Sequence, residues 1–327
     1  MNWHYNEEIC HWSRNRISRV VIIGAGMVGS TYAYALLISG LVSEIIIIDR
    51  NQERLVGEIM DLNHGVSFVR PVIVRAGDYE DCESADLIVI TAGAAQKVGE
   101  TRLDLVNKNV EIFKEIIPQV VASKTKAVLL IATNPVDVMT YVALKLSGFS
   151  RNKVIGSGTV LDTARFRYLL SEHCQIDPTN VHAYILGEHG DSEVPIWSLA
   201  NIAGLRFSEY CPVCGKNCGP IGKNKIFDEV KNAAYKIIQG KGSTYYAIGL
   251  ALVNITESIL RNEYSVLTVS SLLEGEYGLS DVCLSVPSVV SREGVTKRIS
   301  LHLSEEEERQ LFNSAEVIKG VLQQISL

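Results

Sequence analysis

No stretch of the 327-residue chain approaches the roughly 18 consecutive apolar residues that cross a bilayer as a helix. The first residues, MNWHYNEEICHWSRNRIS, scatter charge and histidine where a secretory leader needs an apolar centre, so no export signal is expected there. Positive charge is in deficit, with 31 Lys and Arg against 37 Asp and Glu and a formal charge of −6. Phosphates bind where cations outnumber carboxylates, so neither nucleic acid nor an anionic membrane is expected as a partner. Local basic pockets for small anions remain compatible with this balance. Cysteine is sparse and odd in number, seven in all. That argues against a secreted disulfide framework and for a reduced, cytoplasmic protein. Internal repeats, low-complexity tracts and long linkers are missing too, which sets aside disordered chains.

What the chain does have is ordinary globular composition, 47% hydrophobic and 21% charged. At about 150 residues per domain its length suggests two domains. From Arg19 the pattern becomes regular. RVVIIGAG, EIIIIDR, VIVRAGDY, ADLIVITAGA and AVLLIATNPV are short Val/Ile/Leu runs with helical stretches between several of them. Strands apolar throughout, alternating with helices, mean a parallel sheet covered on both faces. The expected fold class is therefore α/β. An N-terminal arm over 1–18 precedes a doubly wound parallel sheet of Rossmann type over 19–155, and an α+β substrate domain follows over 156–327. In that last part LDTARFRYLLSEHC reads as a helix, and a helical region interrupted near Gly240–Gly242 runs from about Lys225 to Arg261. VLTVSSLLEG and VCLSVPSVVS read as antiparallel strands, and Glu305 to about Gln324 reads as an amphipathic helix.

Gly24-Ala25-Gly26-Met27-Val28-Gly29 is a Gly-x-Gly-x-x-Gly directly after a strand and opening a helix. The first glycine allows the tight turn, and the second lets backbone amides approach a pyrophosphate. The third lets helix and strand pack closely, while the helix N-terminus supplies partial positive charge. Alone the match is weak, since Gly-rich turns also serve merely to turn. Asp49 strengthens it by ending the next strand, twenty residues beyond Gly29. A carboxylate there accepts from ribose hydroxyls and repels a 2′-phosphate, which favours NAD over NADP.

Three further segments carry polar chemistry. Ala95-Gln96-Lys97-Val98-Gly99-Glu100-Thr101-Arg102 follows the fourth strand, where open α/β sheets place ligands, and suits a lid leading into a helix. Asp162-Thr163-Ala164-Arg165 and Gly187-Glu188-His189-Gly190-Asp191 lie in the second half. Taken singly, His189 reads as a turn residue, Asp162 as a helix cap and the arginines as helix-face charges. Taken in order, with ATNPVD, GSGTVLDTARFR, HAYILGEHGD and KGSTYYAIG, they are far more specific. In these motifs the chain resembles the bacterial-type L-lactate dehydrogenases, part of the lactate/malate dehydrogenase family, over nearly its full length.

The resemblance implies that His189 donates and accepts the proton, a task suited to an imidazole whose ordinary pKa is about 6.5. It implies that Asp162 holds the other ring nitrogen and that Arg165 grips the substrate carboxylate as a planar fork. Arg102 would polarise the ketone as the lid closes, Asn134 would touch the substrate oxygen and nicotinamide, and Thr244 would line the pocket. Gly24, Gly26, Val28, Gly29, Asp49, Arg54, Gly93, Ala94, Thr133, Asn134 and Ser157 would contact NAD. Position 96 speaks to substrate. Malate dehydrogenases resembling this chain carry Arg there for the second carboxylate of oxaloacetate, and Gln96 offers no counter-charge, which points to pyruvate and lactate.

Arg167 lies two residues beyond Arg165, so on a helix the two point about 200° apart and cannot serve one ligand. In resembling enzymes an Arg and a His at the positions of Arg167 and His182 bind fructose 1,6-bisphosphate between subunits of a homotetramer, which implies allosteric activation here. A structural interface pair is the plainer alternative. Cys211, Cys214 and Cys218 have zinc-knuckle spacing but are one ligand short of a closed site, so reduced thiols are expected and no metal. A malate or other 2-hydroxyacid dehydrogenase stays open as a rival, opposed by Gln96. So does a non-catalytic NAD-sensing module, for which keeping Arg102, Asp162, Arg165 and His189 together is unnecessary.

Overall fold

Strand formation in the first half follows from side chains that are apolar at every position. The computed structural model describes residues 18–94, 101–213, 215 and 219–326, leaving aside the side chains of Arg102, Pro220 and Ile221. Six strands open the chain: β1 (Arg19–Ile23), β2 (Glu44–Ile48), β3 (Ile73–Ala76), β4 (Leu87–Ile90), β5 (Val128–Ile131) and β6 (Val154–Gly156). Between and after them lie α1 (Met27–Ser39), α2 (Gln52–Gly65), α3 (Arg102–Ala122), α4 (Val136–Ser147) and α5 (Val160–Cys174). Every residue of β2, β4 and β5 is buried, as strands covered on both faces require.

The six strands are parallel in the order β3-β2-β1-β4-β5-β6, the doubly wound dinucleotide-binding order. Their side chains alternate between two cores. Val21, Ile46, Ile88 and Leu129 face Val110, Phe113 and Ile117 of α3. Val20, Ile45, Leu87 and Val128 share the other core with Tyr32 and Leu36 of α1.

The second half runs β7 (Val181–His182), β8 (Ile185–Leu186), β9 (Val194–Pro195), β10 (Asn201–Ile202), β11 (Leu205–Arg206) and α6 (Phe207–Val213). It continues through α7 (Pro220–Lys241), α8 (Tyr246–Leu260), β12 (Ser265–Leu267), β13 (Ser270–Glu274), β14 (Ser280–Ser285), β15 (Ser288–Ser291), β16 (Gly294–Arg298) and α9 (Glu305–Leu322). β13 and β14 extend the large sheet antiparallel beyond β6, with Ser270 opposite Gly156. Leu252, Ile255 and Ile259 of α8 enter the core on the α1 face. Tyr32 and Thr256 share a hydrogen bond of 2.6 Å there. The halves are thus built around common cores. A third core joins Phe166 and Leu170 of α5 to Ile185, Phe207, Ile226 and Val230.

Two strand readings need refinement. VLTVSSLLEG is not one strand but β12 and β13 in different sheets, and VCLSVPSVVS divides likewise into β14 and β15. Pro287 lies at the second break and has no N–H for a ladder. The long helical region is α7 and α8. It begins earlier than the periodicity suggests because Pro220 suits a first helical turn, and it breaks where Gly242 takes φ +85°. Ser304 and Glu307 form a reciprocal cap that starts α9. Among the described residues no helix is long and apolar enough to cross a membrane.

Candidate active site

The strand ends β1, β2, β4, β5 and β6 open on one edge of the sheet, where doubly wound folds bind ligands. At the first, Gly24 adopts φ +114°, and a Cβ there would lie 2.6 Å from the Ala92 nitrogen. A Cβ on Gly29 would lie 1.9 Å from the Gly24 carbonyl oxygen, so helix and turn touch directly. Gly26 differs: a Cβ there would meet nothing within 4 Å. Beside that open space α1 begins with no side-chain cap and no acidic residue in its first turn. Free amides, a positive helix end and room for close approach fit a pyrophosphate.

Asp49 accepts from the Ala25 amide at 2.6 Å and from the Asn51 amide at 2.8 Å, bracing the turn from the neighbouring strand end. Val28 is half-buried in the first turn of α1, while Arg54 lies in the first turn of α2 with Glu58 4.0 Å away. Beyond β4, Thr133 donates to the Ala92 carbonyl at 2.7 Å, and its methyl group would block a Cβ on Gly93. Ser157 is buried just past β6, its amide donating to Ile131 at 2.8 Å. The fully buried Asn109 of α3 accepts from the Ala94 amide at 2.8 Å and donates to the Asn134 carbonyl at 2.7 Å. It thereby fixes two ligand-side loops to each other, a role that its sequence neighbourhood does not signal.

The polar centre lies between α5 and the loop after β8. Asp162, 2% exposed in the first turn of α5, gives one oxygen to each of two cationic groups. Its Oδ2 lies 2.5 Å from His189 Nδ1, and its Oδ1 accepts from Arg165 Nη1 at 2.7 Å. Burial pushes the Asp162 carboxyl up, but His189 and Arg165 outweigh burial and hold it below the usual carboxylate range. For His189 burial opposes charge, yet Asp162 beside the ring, with Asp137 and Glu193 further off, raises it to about 9. Glu193, buried and close to Asp162, is pushed up to about 8, first by burial and then by that like charge.

Sequence reading missed Asp137, which is 1% exposed in the first turn of α4 and accepts from the His189 amide at 2.8 Å. The only signal was its place in NPVD. Thr244 is half-buried in the joint between α7 and α8, both of which pack on α5. Gln96 lies outside the described residues, as does the side chain of Arg102. The backbone of Arg102 opens α3 behind a reciprocal cap of Thr101 and Asp104. Arg167 diverges from Arg165: its Nε donates to the Ala183 carbonyl at 3.0 Å, and its guanidinium lies 5.3 Å from the Tyr184 ring. His182, the residue before Ala183, is exposed on β7. Cys211 is buried with its Sγ 3.9 Å from His173 Nε2, a nitrogen that cysteine spacing alone does not reveal. Cys214 and Cys218 lie outside the described residues.

The chain belongs to the lactate/malate dehydrogenase family, NAD-dependent oxidoreductases acting on CH–OH groups: residues 18–156 match its NAD binding domain and residues 159–326 its alpha/beta C-terminal domain. An L-lactate dehydrogenase of Acetivibrio thermocellus is 57% identical over 311 residues, 95% of this chain and 98% of that one. L-lactate dehydrogenase 1 of Clostridium acetobutylicum is 56% identical over 94% of this chain and 98% of its own length. Among solved structures, the minor L-lactate dehydrogenase of Enterococcus mundtii in its ligands-bound form superposes with a TM-score of 0.92 at 42% identity. That match covers 95% of this chain and 99% of the other.

Proposed function

We propose that the chain is an L-lactate dehydrogenase, interconverting pyruvate and (S)-lactate with NADH and NAD. The observation that carries this reading is Asp162 joining His189 and Arg165 through its two oxygens. With Nδ1 committed to Asp162, the ring presents Nε2 to a substrate oxygen. A histidine raised to about 9 is cationic at neutral pH, ready to protonate a ketone as negative charge develops on it. Arg165 keeps further donors for a carboxylate. NAD, when bound, supplies the hydride donor or acceptor. Arg102 and Asn134 polarise the carbonyl in this reading, Thr244 bounds the pocket, and Gln96 selects a monocarboxylate. The relatives named L-lactate dehydrogenase support it, and Gln96 opposes a malate dehydrogenase.

The same reading takes residues 19–155 as the NAD-binding unit and 156–327 as the substrate unit, working in cytoplasmic glycolysis and fermentation. It includes activation by fructose 1,6-bisphosphate at Arg167 and His182. Among the described residues the partners of Arg167 are the Ala183 carbonyl and the Tyr184 ring, neither of them anionic. It includes a homotetramer as well. α1 and α8, packed on each other, expose Tyr34 and Ile38, and Tyr246 and Leu250, apolar pairs that a second copy would cover. The test is NADH consumption with pyruvate or oxaloacetate, each with and without the bisphosphate. Preference for pyruvate and a rise in rate at low pyruvate are expected. Preference for oxaloacetate would overturn the substrate reading, and indifference to the bisphosphate would overturn the activation.

A further inference from the structure

The loop bearing His189 is fastened residue by residue to different elements. Ile185 is held from α5, its amide donating to Thr163 Oγ1 at 3.0 Å and its carbonyl accepting from Thr159 Oγ1 at 2.5 Å. Gly187 pairs with Ser285 of β14 through two backbone bonds of 2.9 and 3.1 Å. The Glu188 amide donates to Ser314 Oγ of α9 at 2.7 Å. Each of these anchors is neutral. At His189 the anchor is a carboxylate, Asp137 Oδ2 at 2.8 Å, although any neutral oxygen would satisfy an amide.

Burying a carboxylate is costly unless a positive charge answers it. We propose that Asp137 is a positioning residue for His189, its buried carboxylate fixing the backbone of the proton-transfer residue and adding a second negative charge beside the imidazolium. The proposal rests on the reading of His189 given above. Asp137 also accepts a long bond of 3.4 Å from Ser285 Oγ, so the same carboxyl reaches β14 as well as the loop. It lies three residues beyond Asn134, so one short segment serves both the nicotinamide side and the histidine.

Several other charged groups surround the pair. His189 faces Asp162 from α5 and Glu193 from its own loop, Arg165 and Lys231 of α7 face Glu193, Arg165 also pairs with Asp162, and Glu188 faces Asp137. Asp137 faces Cys283 of β14, whose thiol burial keeps neutral. Burial pushes the Asp137 carboxyl up to about 6, against hydrogen bonds and the His189 charge, so it is anionic where the histidine titrates.

Asp137→Asn keeps the shape and an oxygen for the amide but removes the charge. With the full-length enzyme, kcat/KM for pyruvate is measured against pH, and NADH affinity is followed by fluorescence. The falling alkaline limb is expected to move down by about one pH unit or more, since a carboxylate near a cation shifts it by that order. NADH affinity should stay within about twofold, because the substitution does not touch the Gly-rich turn. A residue that merely fills space would lower the melting temperature and leave the limb in place, and that result overturns the proposal. Asp137→Ser is the second variant, with the same shift expected, and failure of both to fold would make the residue structural and overturn the proposal equally. His189→Asn is run beside them. Retained turnover there would sink the reading of His189 itself, whereas lost turnover with an unmoved Asp137→Asn limb would sink this proposal alone.

Discussion

Asp162 is pulled on from two sides, and the energetic consequence lies with His189. Against an ordinary value of about 6.5, a histidine raised to about 9 stabilises the fold fully below the ordinary value and loses that contribution as pH climbs through the raised one. Activity follows the same sign. In the proposed mechanism pyruvate reduction needs the protonated ring, so kcat/KM should stay level to about pH 9 and fall above it, while lactate oxidation should rise over the same interval. Asp162→Asn should move both limbs down, and a pH-rate series on the two proteins checks this. Substrate choice is the other matter for single residues. Gln96→Arg should raise the oxaloacetate-to-pyruvate ratio of kcat/KM by about 10²-fold or more, since a counter-charge relieves a desolvated carboxylate. An unchanged ratio in steady-state assays would remove Gln96 from the account. His189 and Asp162 were readable because each sits in a short patterned motif. Asn109 and Asp137 were not, because what they hold lies 15, 25 and 52 residues away and leaves no local pattern.

Glycines of one motif do different work in the elements they join. Gly24 and Gly29 are required by the fold, since a Cβ on either would collide with backbone. Gly26 faces open space, so in the proposed reading its requirement comes from the ligand. Gly26→Val should keep the melting temperature within a few degrees and weaken NADH binding by about tenfold or more, the cost of about 1.4 kcal/mol or more of lost contact. Calorimetry and NADH fluorescence titration separate the two effects. Loss of stability instead would make this glycine structural. Other elements were visible in sequence for physical reasons. β2, β4 and β5 announce themselves because burial on both faces leaves no polar position, and α9 because Ser304 and Glu307 mark its start. VLTVSSLLEG hid its break because β12 and β13 are both half-apolar and only their partners in space differ.

At the scale of the whole molecule, the chain brings chemistry from both halves to one sheet edge. α8 enters the core beside α1, and β13 pairs with β6, so the loop of His189 and the Gly-rich turn are set on one rigid frame. In the proposed reading that frame sets an imidazole against a cofactor bound by a distant segment, and it is why nearly full-length likeness to the relatives carries more weight than any motif. The most direct test is His189→Asn, followed by NADH fluorescence for binding and NADH absorbance for turnover with pyruvate. Binding should persist within a few-fold while turnover falls on the order of 10³-fold, the usual scale of a lost proton-transfer group. A variant that binds NADH and still reduces pyruvate within tenfold of the parent rate would contradict the account.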